Sequence, residues 1–252
     1  MADLLRVDNL SKRFGGIVAT DNLVFNIAEG ELHAVIGPNG AGKTTLIAQL
    51  SGQRSPDSGR IQFAGSDITA MPMHARSALG LARSFQITSL FLDLSVLDNV
   101  ALVVQAHAGH SFHFWRDARR EAELRDPARA ALARVGLGAR ANLPASALSH
   151  GEHRQLELAM ALASRPRMLL LDEPMAGLGP EESARMVAML RELKKELTIL
   201  LVEHDMEAVF ALADRITVLV YGRVIATGKP EDIRSNGQVR DAYLGEQEAA
   251  HG

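Results

Sequence analysis

The nine residues from Gly37 to Thr45, "GPNGAGKTT", constrain this chain more than any other stretch. They end "NLVFNIAEGELHAVIG", whose last part is the nearly continuous apolar run expected of a strand buried on both faces. They lead into "TTLIAQLSG", a helical pattern that stops at Gly52. Glycines at this spacing let backbone N–H groups curl around phosphates, and the start of the following helix favours an anion. Lys43 is spaced to reach terminal phosphates and Thr44 to hold Mg²⁺. A glycine-rich turn would match this pattern by accident in about one per cent of chains this long. The strand before it and the helix after it lower that figure further. The expectation is a nucleotide site whose phosphates are held by Gly37, Asn39, Gly40, Ala41, Gly42, Lys43, Thr44 and Thr45.

Two further apolar runs end in polar groups suited to the same chemistry. "MLLLDEP" closes on Asp172 and Glu173. Asp172 at the strand end is expected beside the phosphate loop, holding Mg²⁺ through its water shell, with Glu173 facing the attacking water as general base or orienting group. "LLVEHD" closes on His204, placed to reach a γ-phosphate if its strand lies beside that of Asp172. Gln86 ends "LARSFQ", where its amide could touch the Mg²⁺ or the water. Taken singly, two acids at a strand end, a polar cap and a loop glutamine need no function. Together with the phosphate loop they form a catalytic set of Glu173, His204 and Gln86, and a metal set of Thr44, Gln86 and Asp172.

The order of patterns gives the organisation. The first third mixes strands ("LLRVDNL", "GRIQFAG", "LARSFQ") with short helices, and from about Leu94 to Ala147 the chain reads as helical. In that insert Asp126 and Pro127 are expected as the N-cap and first residue of a helix. After it, strand and helix alternate, as parallel strands with crossover helices require. The fold expected is α/β: a single domain over residues 1–252, with a core of 1–93 and 148–252, an N-terminal antiparallel β subdomain, and a helical subdomain over about 94–147. The "LSHGE" stretch opens a helix with a capping box, Ser149 and Glu152 each satisfying a backbone N–H. Gly151 inside that first turn is about 1 kcal/mol worse than alanine in a helix interior, which raises the possibility of a close approach by a ligand.

"GPNGAGKTT", Gln86, "LSHGE", "LLLDEP" and "EHD", in that order over nearly the whole chain, resemble the ATP-binding cassette ATPases that drive ABC transporters. The fold implied is a phosphate-loop NTPase core. The resemblance implies that Ser149, His150, Gly151 and Glu152 contact ATP held by a second cassette, and that Phe14 in "SKRFGG" stacks on adenine. It further implies ATP and Mg²⁺ as cofactors, a homodimer or heterodimer of cassettes, and transmembrane permease subunits that keep the chain on the inner face of the cell membrane. "PMHARSALGLARSFQ", "LSVLDNVAL", "AGLGPEE" and the tail "VIATGKPEDIRSNGQVRDAYLGE" are similar to the longer ATPase of branched-chain amino-acid importers, which work with a solute-binding protein. The lipopolysaccharide-export and urea-import ATPases are close alternatives. His150 and Glu152 stand where the family most often has Gly and Gln, and Gly179 stands where many members have an Asp that links the two subunits.

Composition removes other classes. A net charge of -3 with both signs interspersed offers no general attraction to nucleic acid. A soluble cassette acting on ribosomes or DNA is the alternative of another class, but such relatives carry paired cassettes or long coiled-coil inserts. A small-molecule kinase would have no use for "LSHGE". There is no cysteine for disulfides or thiolate metal sites, and "MADLLRVDNL" lacks the regions of a signal peptide. Asn99 to Trp115, the longest uncharged run, is too polar to span a bilayer. His107, His110 and His113 read as solvated surface rather than a metal site. Arg119 with Glu123 and Glu121 with Arg125 are spaced as helix-surface ion pairs.

Overall fold

A computed structural model describes residues 3–84, 90–108 and 122–242. Two sheets organise it. The first is four-stranded and antiparallel in the order β2-β1-β4-β5, from β1 (Asp3–Phe14), β2 (Ile17–Ala28), β4 (Ser58–Phe63) and β5 (Ser66–Asp67). The second is six-stranded, β10-β9-β3-β8-β7-β6. It comprises β3 (Leu32–Ile36), β6 (Leu81–Arg83), β7 (Met168–Asp172), β8 (Thr198–Val202), β9 (Arg215–Val220) and β10 (Arg223–Gly228).

The second sheet is apolar on both faces because helices or the other sheet cover each side. In β3, Leu32, Ala34 and Ile36 enter one core while Val35 enters the other; in β7 the split is Leu169 and Leu171 against Met168 and Leu170. Each strand therefore reads as a continuous apolar run, although its side chains alternate. One core lies against α1 (Lys43–Ser51) and the antiparallel sheet. The other lies against α5 (His150–Ala163), α6 (Pro180–Leu193) and the insert helices α3 (Val96–Ala108) and α4 (Ala122–Arg134). Short helices α2 (Met73–Ala78), α7 (Met206–Leu212) and α8 (Pro230–Ser235) complete the chain.

Two local expectations are corrected. The helix expected to start at Pro127 already runs from Ala122, with Pro127 inside it. Pro127 has no N–H to give the Glu123 carbonyl, but at the sixth position that costs the helix a single early bond. Arg125 pairs with Asp98 of α3 at 3.0 Å, so this charge binds two helices of the insert together. The expected alternation of parallel strand and helix breaks after β9: "ITVLVYGRVIATG" is a hairpin in which Tyr221 and Gly222 both have positive φ, the two-residue turn that suits strand twist, and β10 returns antiparallel.

Arg76 is the least expected core residue. Its guanidinium is fully buried on α2 and donates to the carbonyls of Gln49, Leu50, Thr69 and Met71, closing the C-terminal end of α1. Helix ends leave such carbonyls without partners, and one planar fork with several donors satisfies them together. Arg76→Met leaves buried carbonyls unsatisfied and lowers stability in urea unfolding by about 3 kcal/mol; an unchanged midpoint would show that the carbonyls find other donors.

Candidate functional site

β3 leaves the sheet into a loop held by two close approaches. A Cβ on Gly37 would lie 2.0 Å from the Leu219 carbonyl oxygen, and one on Gly42, at φ 101°, would lie 2.1 Å from that of Ala19. Only glycine fits either place. Gly222 N–H donates to the Ala41 carbonyl at 3.0 Å, which fastens the loop to the β9–β10 turn. Asn39, Gly40 and Thr44 face solvent. Helix α1 has Gly42 at its N-cap, with no side-chain cap and no acid in its first turn, an arrangement in which the positive end of the helix favours an anion. Lys43 is buried and folds over the loop, its Nζ donating to the carbonyls of Gly37 at 2.5 Å and Pro38 at 3.0 Å.

β7 ends beside this loop. Burial pushes the Asp172 carboxyl above its ordinary 3.8, opposed by Arg83 and Lys43. Arg83 Nη2 reaches Asp172 Oδ2 at 3.0 Å with both side chains nearly buried, and its Nη1 donates to Gln53. Glu173 follows in the left-handed region at φ 50°, uncommon for a non-glycine residue, with its N–H on the Val202 carbonyl at 2.8 Å. That conformation turns its half-exposed side chain toward His204, whose Nδ1 lies 3.8 Å from Glu173 Oε1. The gap is too long for a direct hydrogen bond. The Asp172 carboxylate and the exposed Thr44 hydroxyl are oxygen donors of the kind that suits a hard divalent cation, so these residues fit Mg²⁺.

The Ser149 helix start faces elsewhere. Its capping box is formed: Glu152 N–H donates to Ser149 Oγ at 3.2 Å, and Ser149 N–H donates to Glu152 Oε2 at 2.9 Å. The Ser149 N–H is the main reason the Glu152 carboxyl sits below its ordinary range; Arg140, at 3.0 Å from the other oxygen, adds to it. The unusual acid is thus turned into its own helix and countered by an arginine. Gly151 has a partner that the sequence concealed. A Cβ there would lie 2.4 Å from the Glu182 carboxylate, while Glu182 also accepts from Gly179 N–H at 3.3 Å. His150 Nε2 lies against Gly177. Ser149, Gly151, Glu152 and Glu182 line an open cleft of about 390 Å³.

The structure therefore gathers the phosphate loop, Asp172, Glu173 and His204 at one edge of the sheet. It sets Ser149, His150, Gly151 and Glu152 against residues 177–182 instead. Phe14 is 43% exposed at the β1–β2 hairpin tip, with Lys12 Nζ 5.7 Å from its ring centre. Gln86 lies outside the described residues, as do His110, His113, Arg119 and Glu121. His107 bonds to Ser77 and to the Val103 carbonyl. The sequence reading missed Arg83, Glu182 and Glu203. Each stood within a stretch already quoted, but its partner lies far away along the chain.

Removing Ser149 Oγ costs α5 its cap, so Ser149→Ala lowers nucleotide-free stability in urea by about 1 kcal/mol. Gly151→Ala stays within about 1 kcal/mol, because the Glu182 tip swings aside and alanine favours the helix. A larger loss for Gly151→Ala than for Ser149→Ala would mean that Glu182 is fixed there.

Comparison with known proteins adds an independent line. Residues 20–176 match the family model for ABC transporters, and residues 223–249 match that for the branched-chain amino acid ATP-binding cassette transporter. The chain is 38% identical over 250 residues to the high-affinity branched-chain amino acid transport ATP-binding protein BraF of Pseudomonas aeruginosa, covering 96% of this chain and 98% of that one. A solved ATP-binding cassette of an ABC transporter in its ADP conformation superposes with a TM-score of 0.86 at 29% identity, covering 97% and 100%. A dimeric cassette in a post-hydrolysis state, bound to ADP and Pi, gives 0.76 at 25% identity, covering 90% and 98%.

Proposed function

Because the chain belongs to the ABC transporter family, as an ATP-binding cassette ATPase of the branched-chain amino-acid type, we propose that it powers an importer of branched-chain amino acids or a related small polar solute. One observation carries the reading. The phosphate loop, Asp172, Glu173 and His204 share one sheet edge, while the Ser149 helix start lies against residues 177–182 instead.

In this reading Lys43 and the loop N–H groups of Gly37–Thr45 hold the ATP phosphates, and Phe14 stacks on adenine. Lys43 then exchanges its carbonyl partners for phosphate oxygens, a gain in charge pairing. Thr44 and Asp172, with Gln86, would hold Mg²⁺, which supplies charge neutralisation when bound. Glu173 takes up or orients the proton side of the attacking water, and His204 keeps water and γ-phosphate in line. A second cassette, identical or a shorter relative, brings its own Ser149-type helix start to the γ-phosphate. Ser149 Oγ then leaves its cap, and Glu182 must withdraw from Gly151 to admit the phosphate.

Permease subunits would dock beside the helical insert, which places the chain on the inner face of the cell membrane; a solute-binding protein would act further upstream. Phe91 and Leu92 are 57% and 49% exposed there, on a turn that buried Asn99 pins by bonding both the N–H and the carbonyl of Phe91. An ordered apolar protrusion of this kind suits a protein partner.

Glu173→Gln tests the site. It keeps ATP affinity within about threefold while turnover falls roughly 100-fold or more. Substantial residual hydrolysis would remove Glu173 from its role. Stimulation of the unmodified ATPase by a reconstituted membrane partner tests the transport reading, and stimulation by nucleic acid instead would overturn it.

A further inference from the structure

Glu203 lies one residue before His204 and is almost wholly buried, yet it faces three backbone donors. Its Oε1 accepts from Met175 N–H at 2.9 Å. Its Oε2 accepts from His204 N–H at 3.0 Å and, more weakly, from Asp205 N–H at 3.4 Å. The two Oε2 bonds stay within one loop and would by themselves only close the approach to α7. The Met175 bond differs, because it crosses to the segment that carries Glu173.

That crossing sits between two other anchors. Glu173 N–H is held by the Val202 carbonyl, and Glu173 C=O accepts from Ala176 N–H at 3.1 Å. Two consecutive residues, Val202 through its carbonyl and Glu203 through its carboxylate, thus hold the Glu173–Met175 turn from one side. His204 follows Glu203 directly, donates its N–H to the other oxygen of that carboxylate, and has its Nδ1 3.8 Å from Glu173 Oε1. Beyond Met175 the chain passes Gly177, against His150, and Gly179, against Glu182, so it leads directly to the face expected to meet the second cassette.

We propose that Glu203 is the positioning residue that holds Glu173 and His204 in one register and carries movement of residues 175–179 to His204 within the subunit. Gly179 has no side chain with which to make such a link across the interface, and a link through Glu203 does not need one. Both carboxylate oxygens must accept, so glutamine is not an equivalent: its NH₂ would face a backbone N–H whichever way the amide turned. The inference rests on the roles given above to Glu173 and His204.

Hydrogen exchange of the Glu173→Gln protein, with and without ATP, reads the link itself. Met175 and His204 amides are expected to have matching protection and to change together when ATP binds, as members of one cooperative unit. In Glu203→Gln both amides lose about tenfold or more of that protection. In the same variant kcat falls roughly 10- to 100-fold, while ATP affinity stays within about threefold. Unchanged kcat and unchanged protection at both amides would overturn the proposal. So would a loss of kcat matched by equal losses of ATP affinity and of β8 protection, which would mark Glu203 as merely structural. If Glu203→Gln does not fold, the Glu203-bearing protein decides: independent exchange of Met175 and His204 overturns the link. Retained hydrolysis by Glu173→Gln would instead overturn the reading of the site and leave the exchange result standing.

Discussion

Everything at the site depends on the strands of a doubly covered parallel sheet ending in one row. Val35 pairs with Val202, and Val202 with Asp172, so the next positions along β3, β8 and β7 emerge together at one edge. The chain steps from apolar burial into polar chemistry at Gly37, Glu203 and Glu173 within about a residue of each other. At the carboxyl ends of parallel strands, ligands are expected in the crevice beyond the sheet. β3 can end there only because Gly37 tolerates the Leu219 carbonyl at a distance no side chain could.

Several charged groups at the site have partners within the chain. Lys43 lies on loop carbonyls, Asp172 on Arg83, and Glu152 on Arg140 and its own helix start. Leaving a buried charge uncompensated costs several kcal/mol, so these pairings stabilise the fold around the loop. On the proposed function, nucleotide binding exchanges the loop carbonyls at Lys43 for phosphate oxygens. Glu182 against Gly151 extends that principle to the second surface.

What the sequence revealed and what it concealed divide by distance along the chain. The phosphate loop, the acids after β7 and the Ser149–Glu152 capping box were legible because the residues that define each lie within a few positions of one another. The helical insert and the parallel core were legible because periodicity is also local. Pro127 was misjudged because a proline early in a helix can be tolerated once tertiary packing holds the helix. Arg76, Arg83 and Glu203 were hidden because each has a partner 26 or more residues away, at Leu50, Asp172 and Met175. "LLVEHD" was read for His204 alone, although an acid continuing a buried strand must be bonded to something. Gly151 looked like a place kept clear for a phosphate, and in the folded subunit it is already covered by Glu182.

The central claim is that the nucleotide site on one chain is completed by the Ser149 helix start of another. Hydrogen exchange of Glu173→Gln, purified with its membrane and cassette partners and then given ATP and Mg²⁺, tests it most directly. The account predicts slowed exchange both at the phosphate loop, Gly40–Thr45, and at Ser149–Glu152. Slowing at the phosphate loop alone, with Ser149–Glu152 unchanged at saturating ATP, would contradict it.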